Sequence, residues 1–185
     1  MSFEIQVCNP AIRDRSGEER ESLSSAMIAV FPAFTEDAYM VWNWVPVRIN
    51  YNSDLSVMLE DVLLMLSAVL ESDRGSHVAS FGASTFLATW SLQWTPSTLT
   101  VDAAWSSIAG SYEDLLNSRP RLELPRKEFL GEWKSLLKMV LTATDSSGIT
   151  IEQQDQVADL RRLEASIPSV GRVYQGQEPG MPSDR

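Results

Sequence analysis

Residues 86–105 read FLATWSLQWTPSTLTVDAAW and contain three of the chain's six tryptophans. Apolar side chains occupy every second position in both halves, which is the period of a half-buried strand. A four-residue turn at 95–98 would join the two halves as a hairpin. Its register pairs Trp94 with Leu99, Leu92 with Val101, Trp90 with Ala103 and Ala88 with Trp105.

Two of these pairs set a tryptophan against an alanine, so large side chains meet small ones across the hairpin. The opposite face carries Thr89, Ser91 and Gln93 instead. This division predicts that the tryptophan row is a packed core layer. The alternative is an aromatic platform for a ligand, and it requires Trp90 and Trp94 to be exposed.

The chain before the hairpin contains four further patterned segments. Alternation at 3–7 predicts a short strand, and the run 16–31 predicts an amphipathic helix that begins near Ser16. Residues 39–51 are aromatic and β-branched, which predicts one strand, with Pro46 placing it at an edge or a bulge. Residues 54–72 are apolar around most of a helix, which predicts a central helix.

The remaining segments are read in the same way. Residues 73–84 predict a loop or an irregular strand. A short helix at 112–117 and an extended piece at 122–124 follow, and the apolar spacing then predicts helices at 125–141 and 150–167.

These elements predict an α+β fold, because strands and helices are not regularly alternated as in βαβ units. We expect a single domain over residues 1–174, with a small, mostly antiparallel sheet. Its central hairpin, at about 85–106, is expected to be packed on one face by several helices. Residues 175–185 have the composition of a flexible C-terminal tail.

Composition narrows the classes of function. The chain has 185 residues and a formal charge of -10, which argues against nucleic acid as a partner because phosphates would be repelled. No apolar run is long enough to cross a membrane and no signal peptide is recognised, so we expect a cytoplasmic protein. One cysteine, Cys8, and one histidine, His77, provide no zinc motif, and we expect no metal, cofactor or catalytic residue.

Acidic residues are concentrated in one part of the chain. Residues 36–73 hold seven acidic side chains and one basic one, whereas residues 119–138 hold six basic and three acidic ones. A negative surface speeds the encounter with a basic partner, although net charge also serves ordinary solubility. The candidate contact residues are Glu36, Asp37, Asp54, Glu60 and Asp61.

Trp42 and Trp44 are two further candidates for partner binding. In a single strand over 39–51 they lie on the less apolar face, and tryptophan near a surface is a common interface anchor. Burial in the core is the alternative for both.

The segments VWNWVPVRINYNSDLSVMLEDVLLML (41–66) and EFLGEWKSLLKMVL (128–141), with the hairpin, resemble bacterial immunity proteins of polymorphic-toxin systems. That resemblance implies a non-enzymatic α+β protein that binds a cognate toxin domain and blocks it. One alternative is an acidic chaperone or adaptor for a secreted effector. A second is a small enzyme with a pocket around His77 or the Glu60–Asp61 pair.

Overall fold

The tryptophan hairpin is the centre of a four-stranded antiparallel sheet. The computed structural model describes residues 2–169, and within it the strands Phe86–Trp94 and Thr98–Ile108 pair in the predicted register. The pairs Trp94–Leu99, Leu92–Val101, Trp90–Ala103 and Ala88–Trp105 are all present, with a bulge between Leu87 and Ala88. Every second residue of Phe86–Trp94 is buried, so the predicted core layer is confirmed.

The described strands, in chain order, are β1 (Phe3–Gln6), β2 (Glu19–Arg20), β3 (Ala38–Trp42), β4 (Val45–Ile49), β5 (Gly75–Ala83), β6 (Phe86–Trp94), β7 (Thr98–Ile108), β8 (Arg121–Pro125) and β9 (Thr150–Ile151). The described helices are α1 (Leu23–Val30), α2 (Ser56–Glu71), α3 (Glu113–Asn117), α4 (Arg126–Ser147) and α5 (Gln154–Ser166).

The strands form two antiparallel sheets and one small parallel pair. The order is β5-β6-β7-β8 in the larger sheet and β1-β3-β4 in the smaller one, while β2 pairs with β9. Helices pack against the sheets, so the α+β fold predicted from the sequence is confirmed. None of the helices in the described range has the length and apolarity to cross a membrane. The predicted tail, 175–185, lies outside the described residues.

The segment 73–84 is more regular than its sequence suggests. It contains the nine-residue strand β5, which pairs along its whole length with β6. Its small residues and two glycines are weak strand formers, so this strand is stabilised by its neighbours rather than by its own propensity.

The prediction of one strand over 39–51 is wrong. The chain reverses at Asn43 and Trp44, and β3 and β4 form a hairpin in which Trp42 lies opposite Val45. Pro46 is in β4, which is an edge strand of its sheet, as expected for a residue without an N–H donor.

The starts of two helices also differ from prediction. Helix α1 begins at Leu23 rather than near Ser16, because Ser22 forms a capping box with Ser25. The residues Glu19–Arg20 instead pair with Thr150–Ile151, which delays the start of α5 as well.

Helix α2 packs on β5 and contacts α1 and α5, so its predicted central position is confirmed. Asn50 caps the π-helical turn Tyr51–Leu55 that leads into it, its side chain accepting hydrogen bonds from the amides of Asn52 and Ser53. The exposed face of α2 includes Val57 and Leu64, which are 51% and 57% exposed.

Candidate functional site

Trp42 belongs to the core, so its predicted place on a binding surface is wrong. Its ring centroid lies 4.9 Å from that of Trp90 and 5.2 Å from that of Trp105, and the residue is fully buried. Its indole nitrogen donates a hydrogen bond of 3.0 Å to the backbone oxygen of Arg119. Trp42 therefore joins the smaller sheet to the tryptophan layer of the larger one.

Trp44, by contrast, is 74% exposed at the tip of the β3–β4 hairpin. Asn43 and Trp44 have φ values of 47° and 72°, the pattern of a two-residue turn in which both central residues are left-handed. Glycine is strongly preferred at the second of these positions, and a bulky side chain there is strained by about 1–2 kcal/mol. The chain thus carries an exposed indole at a position where its backbone is unfavourable.

The turn is held by the buried side chain of Asn43. Its amide nitrogen donates to the backbone oxygens of Arg119 at 3.0 Å and of Arg121 at 2.8 Å. The backbone N–H of Asn43 donates to the oxygen of Ser2 at 2.8 Å. These bonds anchor the turn to β8 and to the N-terminal segment, so the backbone that carries Trp44 is fixed.

Two polar side chains contact the backbone on either side of Trp44. The Tyr112 hydroxyl donates to the oxygen of Pro46 at 2.5 Å, and the Arg119 guanidinium lies 3.5 Å from the oxygen of Asn43. Burial raises the pKa of Tyr112, although nearby Arg48 opposes that rise. We call Trp44, Pro46, Tyr112 and Arg119 the Trp44 surface.

Glu36 and Asp37 lie at the other end of the same hairpin. A Glu36 oxygen accepts a hydrogen bond from the backbone of Asn9 at 3.0 Å, and Asp37 accepts one from the Asn50 side chain at 2.7 Å. Asp37 also forms an ion pair of 3.3 Å with Arg48. Both carboxylates stabilise the loop that follows α1, and Glu36 remains exposed.

Asp54 is fully buried, so its predicted role as a surface contact is wrong. It accepts hydrogen bonds from the backbone of Asn50, at 2.9 Å, and from the Thr85 hydroxyl. A buried carboxylate of this kind needs such donors to offset its desolvation. Asp54 therefore fixes the start of α2 against the turn between β5 and β6.

Glu60 and Asp61 point to different surroundings although they are adjacent on α2. Glu60 is exposed and lines a groove, whereas Asp61 is half-buried near His77. The pKa of Asp61 is raised by burial and by the charge of Glu60, and His77 opposes this rise. His77 lies within β5 opposite Leu92 rather than in a loop.

The groove lies between α1, α2 and α5 and has a volume of about 320 Å³. Its floor is apolar and its rim carries three carboxylates: Leu23, Leu59 and Leu63 below, and Glu60, Asp155 and Asp159 above. We call this the acidic groove. In the described part of the chain, neither Glu60 nor Asp155 has a cation within ion-pair distance.

Side-chain hydrogen bonds join the helices that line the acidic groove. The oxygen of the Gln156 side chain accepts a bond of 3.0 Å from the backbone of Leu23. Arg162 donates to Asp159 and to the Ser67 hydroxyl, both at 3.2 Å. Helix α5 is thereby tied to both α1 and α2.

The structure brings the residues predicted from the sequence together only in part. Trp44 and Glu60 reach surfaces that can contact a partner, but they belong to different surfaces. Asn43 is a residue type that favours turns and is the one local signal for the hairpin, but the unbroken alternation around it masks that signal. The α5 carboxylates Asp155 and Asp159 were missed because only the fold brings them opposite α2.

The described residues, 2–169, offer no candidate metal site, since they bring together no group of three or more His, Cys, Asp or Glu side chains suited to a metal ion. Burial raises the pKa of the Cys8 thiol, and Glu36 and Asp37 raise it further.

No protein-family model matches this chain, and no curated protein or solved structure compared with it matches either.

Proposed function

We propose that this protein binds and neutralises a toxin domain in the cytoplasm, as an immunity protein does. The observation that supports the proposal is Trp44, a largely exposed indole on a fixed and strained turn. The resemblance of the chain to immunity proteins of polymorphic-toxin systems supplies the class of partner.

Strain and exposure at Trp44 both favour a binding role. A large aromatic side chain on the surface contributes nothing to the core, and the positive φ of Trp44 lowers the stability of the fold. Strained residues persist where function requires them and the surrounding structure over-determines them. The bonds made by Asn43 provide that surrounding structure here.

The residues around Trp44 are the types that dominate protein interfaces. Tryptophan, tyrosine and arginine are enriched among the residues that contribute most to binding, and the Trp44 surface contains one of each. Arg119 has no carboxylate within ion-pair distance among the described residues, so a partner carboxylate can pair with it. Glu36, Asp37, Glu60 and Asp61 remain predicted contacts with basic groups of the toxin.

The experiment is affinity capture of the tagged full-length chain from its native cells, followed by identification of the bound protein. We expect one folded partner at equal stoichiometry, which arrests growth when expressed alone and is harmless when co-expressed with this chain. An extended client bound by two copies would support a chaperone and overturn the proposal, as would the lack of a stable partner.

A pair of variants then tests the contact. Trp44→Ala is expected to weaken binding of the captured toxin about 30-fold, since truncating a central aromatic anchor removes about 2 kcal/mol. Leu87→Ala is the matched control, because Leu87 is also exposed but lies on the outer face of the larger sheet. Equal affinity of both variants for the toxin would show that Trp44 lies outside the interface.

A further inference from the structure

The acidic groove differs from the Trp44 surface in chemistry and in position. Val57 and Leu64 are 51% and 57% exposed at its edge, although apolar residues at such helical spacing are normally covered. The two lie seven residues apart on α2, with Glu60 between them. This row is therefore an apolar stripe interrupted by a carboxylate, on a helix whose other apolar residues are buried or half-buried.

The shape of the acidic groove favours a helical occupant. Its walls are the helices α2 and α5, and a third helix can lie between two others with its apolar ridge against their side chains. No strand of the described structure lines the groove, so an extended peptide would find no sheet edge with which to pair there.

The charge of the acidic groove favours a partner with basic side chains. Among the described residues, Glu60 and Asp155 on opposite walls lack cationic partners, and Asp159 alone of the three is neutralised, by Arg162. A lysine or arginine on either side of an apolar ridge would pair with these carboxylates, while the ridge covers Val57 and Leu64. The volume of about 320 Å³ admits a few apolar side chains rather than a whole helix.

We infer that the acidic groove receives a basic amphipathic helix of a partner protein. The biological role of this contact rests on the proposed function, in which the helix belongs to the toxin. The binding of such a helix in the acidic groove does not depend on Trp44, and it can be tested without the toxin.

The probe is a fluorescent peptide of Leu and Lys, about 15 residues long so that it can form a helix, with Leu at i, i+3, i+4 and i+7. A scrambled peptide of identical composition and a Leu/Glu peptide are the controls. Binding to the full-length chain is followed by fluorescence anisotropy. We expect the amphipathic Leu/Lys peptide to bind about tenfold more tightly than the scrambled one, and the Leu/Glu peptide not to bind.

Variants locate the binding site on the protein. Glu60→Lys with Asp155→Lys, and separately Leu64→Glu, are each expected to lower the affinity for the peptide about tenfold. Glu71→Lys, the same charge reversal on the same helix outside the groove, and Leu87→Glu are the matched controls. These positions are all exposed, and circular dichroism checks that each variant is folded.

Four results would overturn the inference: no binding, equal binding of the scrambled peptide, equal loss in the control variants, or evidence for another occupant. A dimer that Leu64→Glu dissociates in sedimentation would assign the groove to a second copy of the chain. Tighter peptide binding by Arg172→Glu would assign it to the chain's own C-terminal segment. Peptide binding without a captured toxin would contradict the proposed function alone, whereas a captured toxin without peptide binding would contradict this inference alone.

Discussion

The side-chain nitrogen of Asn43 lies 3.0 Å from the backbone oxygen of Arg119, and this contact joins the β3–β4 turn to the segment that enters β8. Asn43 also tolerates its positive φ better than most residues do. We expect Asn43→Ala to lower the free energy of unfolding by about 2–4 kcal/mol, because two partly buried hydrogen bonds and a favourable left-handed residue are lost. Urea denaturation measures the change, and Asn9→Ala in an exposed loop is the control, expected within about 0.5 kcal/mol of wild type.

Trp44 offers a test that separates backbone strain from the loss of the indole. Trp44→Gly relieves the positive φ and is expected to stabilise the protein by about 1 kcal/mol, raising Tm by about 2–4 °C. Trp44→Ala removes the ring but keeps a strained residue, so no comparable rise is expected. Equal melting temperatures for the two variants, measured by calorimetry, would show that the turn is unstrained.

Asp54 and Thr85 form a partly buried hydrogen bond between the start of α2 and the β5–β6 turn. We expect Asp54→Ala to destabilise the fold by about 3 kcal/mol, because the backbone donor of Asn50 and the Thr85 hydroxyl lose their acceptor. A double-mutant cycle with Thr85→Ala should give a coupling energy of about 1–3 kcal/mol. Additive effects would mean that the two side chains do not interact in solution.

Asp61 predicts a pH dependence of stability. Burial and Glu60 raise the pKa of Asp61, so the folded state holds its proton more tightly than the unfolded state. Stability from this group is present below the unfolded pKa and is lost as the pH rises through the folded pKa. We therefore expect Asp61→Asn to melt above wild type at pH 7, with the difference vanishing toward pH 3. A constant difference across that range would contradict the raised pKa.

Gly75 and Gly82 are both in β5 but have different surroundings. A Cβ atom at Gly75 would lie 2.6 Å from the ring of Trp94, whereas one at Gly82 would meet nothing within 4 Å. The Trp94 ring is fixed by a hydrogen bond of 3.0 Å to the oxygen of Ser72. Gly75→Ala is expected to cost about 1–3 kcal/mol of stability, and Gly82→Ala close to nothing, as measured by thermal unfolding.

The sequence predicts the hairpin register correctly because period-two burial excludes a one-residue slip, which would move Trp90 and Trp94 to the outer face, and the four-residue turn at 95–98 fixes which residues pair. It fails for β5, whose residues Gly75 and Gly82 carry no strand signal of their own. It also fails at Asn43-Trp44, since alternation continues unbroken through a two-residue turn and hides the reversal. Tertiary pairing decides both cases.

The candidate site is predicted only in part for a similar reason. Trp44 was identified, but the strand assumed around it also placed the buried Trp42 on the surface. Glu60 was identified from local charge alone. Its partners on the groove rim, Asp155 and Asp159, lie far away in sequence, and nothing in a local pattern indicates that α5 packs beside α2.

The topology also has a kinetic consequence. The larger sheet pairs only strands that follow one another in the chain, so each of its contacts closes a short loop and can form early. The bond from the backbone of Ile5 to Glu132 spans 127 residues, and the β2–β9 pair is similarly non-local. The meander is therefore expected to act as the template for folding, and the N-terminal segment to dock last, completing the turn that carries Trp44.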